Sequence, residues 1–414
     1  MRDRDWQIGM FGTCDVENYG DLLFPLIAEA ELGERLGKVN LHRFSYHPKS
    51  LPDWPYPVVS LTELPHMAGD LDGALIGGGH LIRFDKEIAP DYYPPTSHIH
   101  HPTGYWLTPA LIALQHGIPL IWNAPGTCKE VPPWAEPLME LAFPLSSYIA
   151  VRDESSQAAL ARFTDKAQIN IVPDTAFGIS RLLKAMPSAE FRSLRDTSDL
   201  SDPYIIVQAT WGLDSFLSFV KQHAQRLQHY RFLALPVGPA LGDHTSILDA
   251  CDLPGLIRLE AWPHPLLLAE LISQSAAVVG PSYHLAITAL ASGVPVFTPQ
   301  ELTRGKYSAL LGFETVYSLA NAGEIDPDWF LRRLGRTIPS AAVQTTLEQL
   351  TRHWDRVSEV LVAGRTATRP AVNQFWQSLP FLLEEAPTSR PIISRWNRFG
   401  RKLSSSIRPR FPKH

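Results

Sequence analysis

One stretch, residues 277–297, constrains the fold more than any other part of the chain. Its two ends, residues 277–279 and 294–297, are short apolar clusters with the length and composition of buried parallel strands. Between them, small and apolar residues recur every three or four positions over 284–292, which predicts a helix. This strand–helix–strand order predicts an open parallel sheet with helices on its faces.

The turn that joins the first of these strands to the helix is a predicted ligand site. Ligands of open parallel sheets bind where a strand ends and a helix begins. The backbone N–H groups from Gly280 to Ser282, with Ser282 Oγ, are expected to face an anion there. His284 follows in the first helical turn, where an imidazole can bind an anion or transfer a proton near neutral pH. The alternative is a histidine that caps the helix and satisfies a carbonyl group.

Composition limits the class of protein. A chain of 414 residues is too long for one core, so two domains are expected. A net charge of −5 gives no sign of a nucleic-acid partner. The three cysteines are widely separated, which suggests neither a disulfide framework nor a zinc site and fits the reducing cytoplasm. We see no signal peptide and no apolar run near the ~20 residues that span a bilayer.

Strands and helices alternate along most of the chain, which predicts two doubly wound parallel-sheet α/β domains. We place the first domain at residues 1–180, an irregular linker at 181–202 and the second domain at 203–325. Helices over 326–388 are expected to pack back onto the first domain. A basic tail occupies 389–414.

The first strand–loop–helix unit places a carboxylate beside the predicted cleft. A strand over 6–11 leads through a glycine-containing loop to a helix from about Leu22, but the loop lacks a GxGxxG fingerprint. Asn18 and Asp21 lie at the helix entrance, where either can cap it. Asp21 can alternatively take a proton from a hydroxyl group.

A third strand, over 71–76, ends in Gly77, Gly78, Gly79 and His80, which predicts a close backbone approach to a ligand. Downstream, His98, His100 and His101 invite a metal interpretation, yet they have no acidic or cysteine partner at suitable spacing. A solvated loop is the preferred interpretation. No metal is therefore expected.

Three cations follow predicted strand ends. Arg152 follows the strand at 148–151 and can hold an anion in a forked geometry, or else pair with Asp153 or Glu154. Arg304 and Lys306 lie in a loop close to the His284 turn. We expect all three to contact an anionic ligand.

The segment from Ser389 is rich in arginine and lysine, contains no acidic residue, and interleaves aromatic and aliphatic side chains. This pattern suits an amphipathic anchor on the anionic inner face of a membrane. A disordered basic tail fits equally well.

Several of these stretches, in order over about residues 6–315, resemble the polysaccharide pyruvyl transferase family. They are Asn-Tyr-Gly-Asp at 18–21, the glycines at 77–79, Val-Arg-Asp-Glu-Ser at 151–155, Pro-Asp-Thr-Ala-Phe at 173–177, His284 to Pro295, and Lys-Tyr-Ser-Ala-Leu-Leu-Gly at 306–312. The resemblance implies two Rossmann-like domains facing across a cleft, as in GT-B glycosyltransferases. It also implies transfer of the enolpyruvyl unit of phosphoenolpyruvate onto two hydroxyls of a sugar as a cyclic ketal, in cell-surface or exopolysaccharide biosynthesis.

For this reaction we expect His284 to bind the donor and transfer a proton, and Asp21 to act as the base on the acceptor side. The expected acceptor is a sugar or lipid-linked oligosaccharide, and phosphoenolpyruvate is the co-substrate, without a cofactor. In one position the chain departs from the family, because Ser282 stands where an arginine that contacts the donor is usual. Arg152, Arg304 or Lys306 are candidate replacements. Two alternatives remain: a nucleotide-sugar glycosyltransferase, with Glu301 at the ribose, and a non-catalytic sugar-binding member.

Overall fold

The computed structural model describes residues 5–84 and 101–385, apart from residues 129, 185, 199, 201, 202, 252, 254, 260, 304 and 321–323. Within this part of the chain no helix has the length and apolar composition needed to cross a membrane. The predicted basic tail and Arg304 lie outside the described residues, as do His98 and His100.

The first domain is built on a seven-stranded parallel sheet. Its strands are β1 Trp6–Phe11, β2 Val39–Ser45, β3 Val59–Ser60, β4 Gly73–Ile76, β5 Leu120–Trp122, β6 Tyr148–Val151 and β7 Ile169–Ile171. Their order is β3-β2-β1-β4-β5-β6-β7, so the chain runs outward from β1 in both directions. The helices are α1 Tyr19–Leu36, α2 Leu64–Met67, α3 Leu107–His116, α4 Glu136–Ala142 and α5 Glu154–Leu160. The doubly wound fold expected from the sequence is confirmed.

The second domain carries a six-stranded parallel sheet. Its strands are β8 Tyr204–Gln208, β9 Arg231–Leu235, β10 Leu256–Arg258, β11 Ala277–Val279, β12 Val296–Thr298 and β13 Val316–Ser318, in the order β10-β9-β8-β11-β12-β13. Its helices are α7 Asp214–Gln222, α8 Ala224–Leu227, α9 Pro265–Gln274, α10 Tyr283–Ala291 and α11 Pro327–Leu331. The strand–helix–strand unit at 277–297 thus lies near the centre of this sheet.

The predicted linker contains regular structure. A 3₁₀ helix over Thr175–Arg181 ends the predicted first domain, and within the predicted linker α6 occupies Ala189–Thr197. Ser188 caps α6 by accepting a hydrogen bond from the Phe191 N–H, and Phe191 is buried. This one buried side chain fixes a helix whose other residues are mostly polar, which is why the segment reads as irregular from sequence.

Two C-terminal helices, α12 Ala341–Ala363 and α13 Arg369–Glu385, pack on the first domain. The fully buried Leu361 of α12 lies directly over Gly73 of β4, where an added Cβ would come within 2.1 Å of Leu361 Cδ2. His353, also in α12, bonds Asn123 through Nε2 at 2.8 Å and Tyr148 through Nδ1 at 3.2 Å. Helices α12 and α13 therefore complete the hydrophobic core of the first domain.

Candidate active site

The carboxyl ends of the two sheets face each other across a cleft of about 370 Å³. The start of α1 touches the second domain directly, because the Tyr19 N–H donates to the Val237 carbonyl and Tyr19 Oη lies 2.8 Å from Thr288 Oγ1 of α10. These buried bonds bring the first turns of α1 and α10 together. The residues predicted on those turns, Asp21 and His284, consequently line the same cleft.

His284 is held between the two domains. Its ring packs against Gly20, where an added Cβ would come within 1.9 Å of His284 Nδ1. The Phe24 ring packs edge-on against the imidazole. Its Nε2 lies 3.8 Å from Oδ2 of Asp174, and neither buried atom has a hydrogen-bond partner in the described structure. The helix-capping alternative for His284 is therefore wrong, since Ser282 Oγ caps α10 by accepting from the Leu285 N–H.

Asp174 comes from the turn after β7, which the sequence placed among the family stretches without giving it a role. It is almost fully buried, with Oδ1 accepting from the Ala176 N–H at 3.0 Å and Oδ2 lying 3.9 Å from Arg152 Nη1. Burial by itself raises the pKa of Asp174, but the nearby His284 and Arg152 together outweigh it, and the pKa is lowered. The Asp174 carboxylate therefore remains ionised beside His284.

Asp21 lies in the first turn of α1 but does not cap it. Its Oδ2 accepts a 2.9 Å hydrogen bond from Asn18 Nδ2, and the side chain also bonds Thr13. Burial raises the pKa of Asp21 to about 6, against the lowering effect of the nearby His284 charge. The carboxyl group can therefore accept a proton at neutral pH and still titrate close to it.

The glycines at the end of β4 have different roles. Gly78 and Gly79 line the cleft with φ values of 106° and 65°, whereas Gly77 lies behind it. A Cβ at Gly78 would come within 2.3 Å of the Phe24 ring, so the close approach expected there is made by the protein's own α1. His80 lies in the cleft, with Nδ1 3.2 Å from Arg152 Nη2.

Arg152 and Lys306 both line the cleft, from opposite domains. Arg152 is largely buried and packs over Gly126, and its Nε lies 3.3 Å from Asp153, so the predicted pairing with Asp153 coexists with its place in the cleft. Lys306 lies in a 3₁₀ helix over Gly305–Leu310. Its Nζ is 5.3 Å from the Tyr307 ring centre.

The turn at Gly280 does not offer its N–H groups to a ligand in the way predicted. The Gly280 N–H donates to the Phe297 carbonyl, and the Ser282 N–H donates to Gln208 Oε1 at 2.8 Å. Gln208 is in turn held by Asp243 at 2.9 Å. Gly280 is needed because a Cβ there would come within 2.6 Å of Gln208. A ligand would meet the side chains of this turn rather than these two N–H groups.

The lining side chains that no sequence pattern identified include Arg83, Tyr105, Gln208 and Asp243. The first two lie in the loop after β4 and in the turn before α3, and neither belongs to a recognisable motif. Within the described residues no cluster of histidine, cysteine and acidic side chains has the geometry of a metal site. His101 instead caps the 3₁₀ helix over Pro102–Tyr105 by accepting from the Thr103 N–H.

Comparison with known proteins identifies the family. The model of the polysaccharide pyruvyl transferase family matches residues 18–298, which is more than half of the chain. The chain belongs to this family. All the site residues from Asn18 to His284 lie inside the match, and Lys306 lies just beyond it. A search of curated proteins by sequence finds no match.

Solved structures share the two-domain arrangement of this pyruvyl transferase family member. The UDP-GlcNAc 2-epimerase of Methanocaldococcus jannaschii is similar with a TM-score of 0.52 and 12% identity, over 80% of this chain and 91% of the epimerase. The Neisseria meningitidis UDP-GlcNAc 2-epimerase, solved with UDP-GlcNAc bound, is similar with a TM-score of 0.51 and 13% identity. This similarity covers 92% of this chain and 100% of the epimerase. These similarities support the expected GT-B-like fold, with two parallel-sheet domains facing across a cleft.

Proposed function

We propose that this protein transfers the enolpyruvyl unit of phosphoenolpyruvate onto two hydroxyls of a sugar, forming a cyclic ketal and releasing phosphate. Family membership supports a sugar-modifying transferase. The observation that carries the proposal is the pairing of His284 with buried Asp174 at the meeting point of both domains. An imidazole held in this way beside cleft cations suits a donor that is anionic and must be protonated on carbon.

On the donor side, the negative carboxylate and phosphate of phosphoenolpyruvate match the positive side chains of Arg152 and Lys306. Ser282 does not supply the guanidinium usual at its position, because its hydroxyl caps α10. The cleft offers less support for a nucleotide-sugar donor. Glu301, expected at a ribose in that reading, is not among the described residues that line the cleft.

The reaction begins with protonation of the donor's methylene carbon by the His284 imidazolium. The methylene becomes a methyl group, and C2 becomes an oxocarbenium-like centre. The first sugar hydroxyl bonds to C2 and gives its proton to Asp21. The second hydroxyl then bonds to C2 as the C2–O bond to phosphate breaks, and its proton returns to His284. The departing phosphate takes the proton from Asp21 and leaves as hydrogen phosphate, so both groups are restored.

Phosphate release from phosphoenolpyruvate, measured with a panel of sugar nucleotides and oligosaccharides as acceptors, tests the proposal. We expect His284→Gln to lower turnover at least 10²-fold, the lower end of the usual contribution of acid–base groups. His66→Gln is the matched control, because His66 is exposed on α2 and does not line the cleft. Undiminished phosphate release and ketal formation by His284→Gln would exclude this role for His284.

The acceptor is expected on the first-domain side, where Asp21 and Asn18 lie beside Gly79. A lipid-linked oligosaccharide is the acceptor class expected for cell-surface or exopolysaccharide assembly. The basic tail would hold the protein at the inner, cytoplasmic face of the membrane that carries such an acceptor. Co-sedimentation with anionic vesicles, compared between the full chain and a chain ending at residue 388, tests this membrane contact.

A further inference from the structure

Three cations lie in the cleft on elements from both domains. Arg83 and Arg152 belong to the first domain, and Lys306 belongs to the second. Among the described residues no carboxylate lies within ion-pair distance of Lys306, whose Nζ instead faces the Tyr283 and Tyr307 rings. Desolvation, followed by the charge of Arg152, lowers the pKa of Lys306. Cations placed near each other in this way repel one another, so an anion between them would be strongly bound.

The backbone that carries Arg83 is fixed rather than free. The Ile82 N–H donates to the Gly126 carbonyl, and the Ile82 carbonyl accepts from the Cys128 N–H. The Arg83 carbonyl accepts a 3.2 Å hydrogen bond from Trp106 Nε1. The backbone of Arg83 is thus held by neighbouring loop residues at the cleft wall, as a binding residue requires.

His80 adds a donor of defined orientation. Its Nδ1 lies 3.2 Å from Arg152 Nη2, and a guanidinium can only donate hydrogen bonds. Nδ1 therefore accepts, which leaves the ring neutral with its proton on Nε2. Desolvation, together with the charges of Arg152 and Arg83, lowers the pKa of His80 to about 4, so the ring stays neutral at physiological pH.

We propose that Arg83, Arg152, Lys306 and the Nε2–H of neutral His80 form a subsite for a phosphate group. The first domain supplies three of the four donors and the second domain supplies Lys306, so the bound phosphate bridges the two. This inference extends the proposed function, in which phosphate is the leaving group. It also reassigns His80 from the acceptor side to the donor side.

The subsite accounts for the missing arginine at position 282. The guanidinium that the family usually places on the second domain is replaced by Arg83, which approaches from the first domain. An arginine at 282 would also lose the hydroxyl that caps α10. Arg83 lies in a loop whose sequence carries no motif, so only the folded structure reveals this replacement.

Calorimetric titration with inorganic phosphate, phosphoenolpyruvate and UDP tests the subsite without requiring an acceptor. We expect Arg83→Gln and His80→Ala each to weaken phosphate and phosphoenolpyruvate binding at least tenfold, and Arg83→Lys to weaken it less. Arg162→Gln is the control, since Arg162 is exposed and pairs with Glu136 away from the cleft. Thermal melting of each variant shows whether it is folded.

Nitrogen NMR of the phosphate-free protein at neutral pH gives a second readout. The expected signature for His80 is a proton on Nε2 and none on Nδ1. Unchanged phosphate binding in Arg83→Gln, or a proton on His80 Nδ1, would overturn the subsite. Loss of UDP binding alone would assign these cations to a nucleotide and also overturn it. Phosphate binding that depends on Arg83, in a protein that forms no ketal, would leave the subsite standing and refute the proposed transfer.

Discussion

At the residue scale, Asp21 shows how a functional group opposes stability. Its pKa in the folded protein is about 6, above the ordinary value near 3.8, so the folded state disfavours the charged form. The resulting loss in the free energy of unfolding is present above pH 6, shrinks as pH falls and vanishes below about pH 4. A difference of two pKa units corresponds to at most ~3 kcal/mol, and the partial exposure of Asp21 to the cleft reduces it.

Asp21→Asn is therefore expected to raise the melting temperature at pH 8 and to leave it almost unchanged at pH 4. The amide removes a desolvated charge while keeping an oxygen that can accept from Asn18. Melting curves across this pH range, compared with those of the exposed-site variant Asp53→Asn, measure the effect. A lower melting temperature for Asp21→Asn at pH 8 would contradict it.

The pKa of Asp21 also predicts how kcat/KM changes with pH on the acidic side of the pH–rate profile, its acid limb. As a base the carboxyl group must be ionised, so kcat/KM is expected to rise with pH through about 6 in the wild type. Asp21→Asn should lower kcat/KM by at least 10²-fold and remove this limb. Phosphate release at saturating acceptor, followed from pH 5 to 8, provides the measurement. An unchanged limb in Asp21→Asn would assign the base to another residue.

The sequence predicted several residues that the structure brings together, including His284, Asp21, Arg152 and Lys306. Each lies next to a predicted strand end, where position along the chain indicates position in the fold. Asp174 lay in one of the family stretches but was given no role, because its burial beside His284 is visible only in the folded structure. Arg83 was missed entirely, since its loop joins the cleft only through tertiary contacts that no local pattern records.

At the element scale, the site depends on how closely α1 and α10 approach. Gly20 of α1 provides the contact, because any side chain there would occupy the space of the His284 ring. Gly33, in the same helix, has no atom within 4 Å of an added Cβ. The two glycines thus separate the effect of site geometry from the general effect of glycine on a helix.

Gly20→Ala is expected to lower turnover at least 10²-fold by displacing His284. Gly33→Ala should keep full activity and increase the free energy of unfolding by about 0.5–1 kcal/mol, because alanine stabilises a helix interior relative to glycine. Phosphate release and urea denaturation of both variants give the comparison. Equal activity in the two variants would show that the contact between α1 and His284 is not required.

The central elements were predicted from sequence better than the peripheral ones. Apolar runs identified β1 and β11, and the helix over 284–292 was predicted one residue from its observed bounds. The edge strands β3 and β13 were missed, since strands of two or three residues carry little periodic signal. The α6 helix was missed because it is mostly polar and buries only Phe191, which leaves little apolar periodicity in the sequence.

At the scale of the whole molecule, α12 returns from the second domain to complete the first. Leu361→Ala is expected to lower the free energy of unfolding by about 2–5 kcal/mol, since it removes a fully buried side chain over Gly73. The adjacent Val362 is 61% exposed, so Val362→Ala should change it by no more than about 0.5 kcal/mol. Equal urea midpoints for the two variants would contradict this role for α12.

The most direct test of the account is a thermal-shift titration with phosphoenolpyruvate and, separately, with UDP and GDP sugars. A ligand at 100 times its dissociation constant stabilises a folded protein by about 2.7 kcal/mol, which a melting curve resolves easily. We predict a shift with phosphoenolpyruvate that His284→Gln removes and His66→Gln preserves. A shift with nucleotide sugars alone, with no phosphate release on adding phosphoenolpyruvate, would contradict the proposed donor and favour glycosyl transfer.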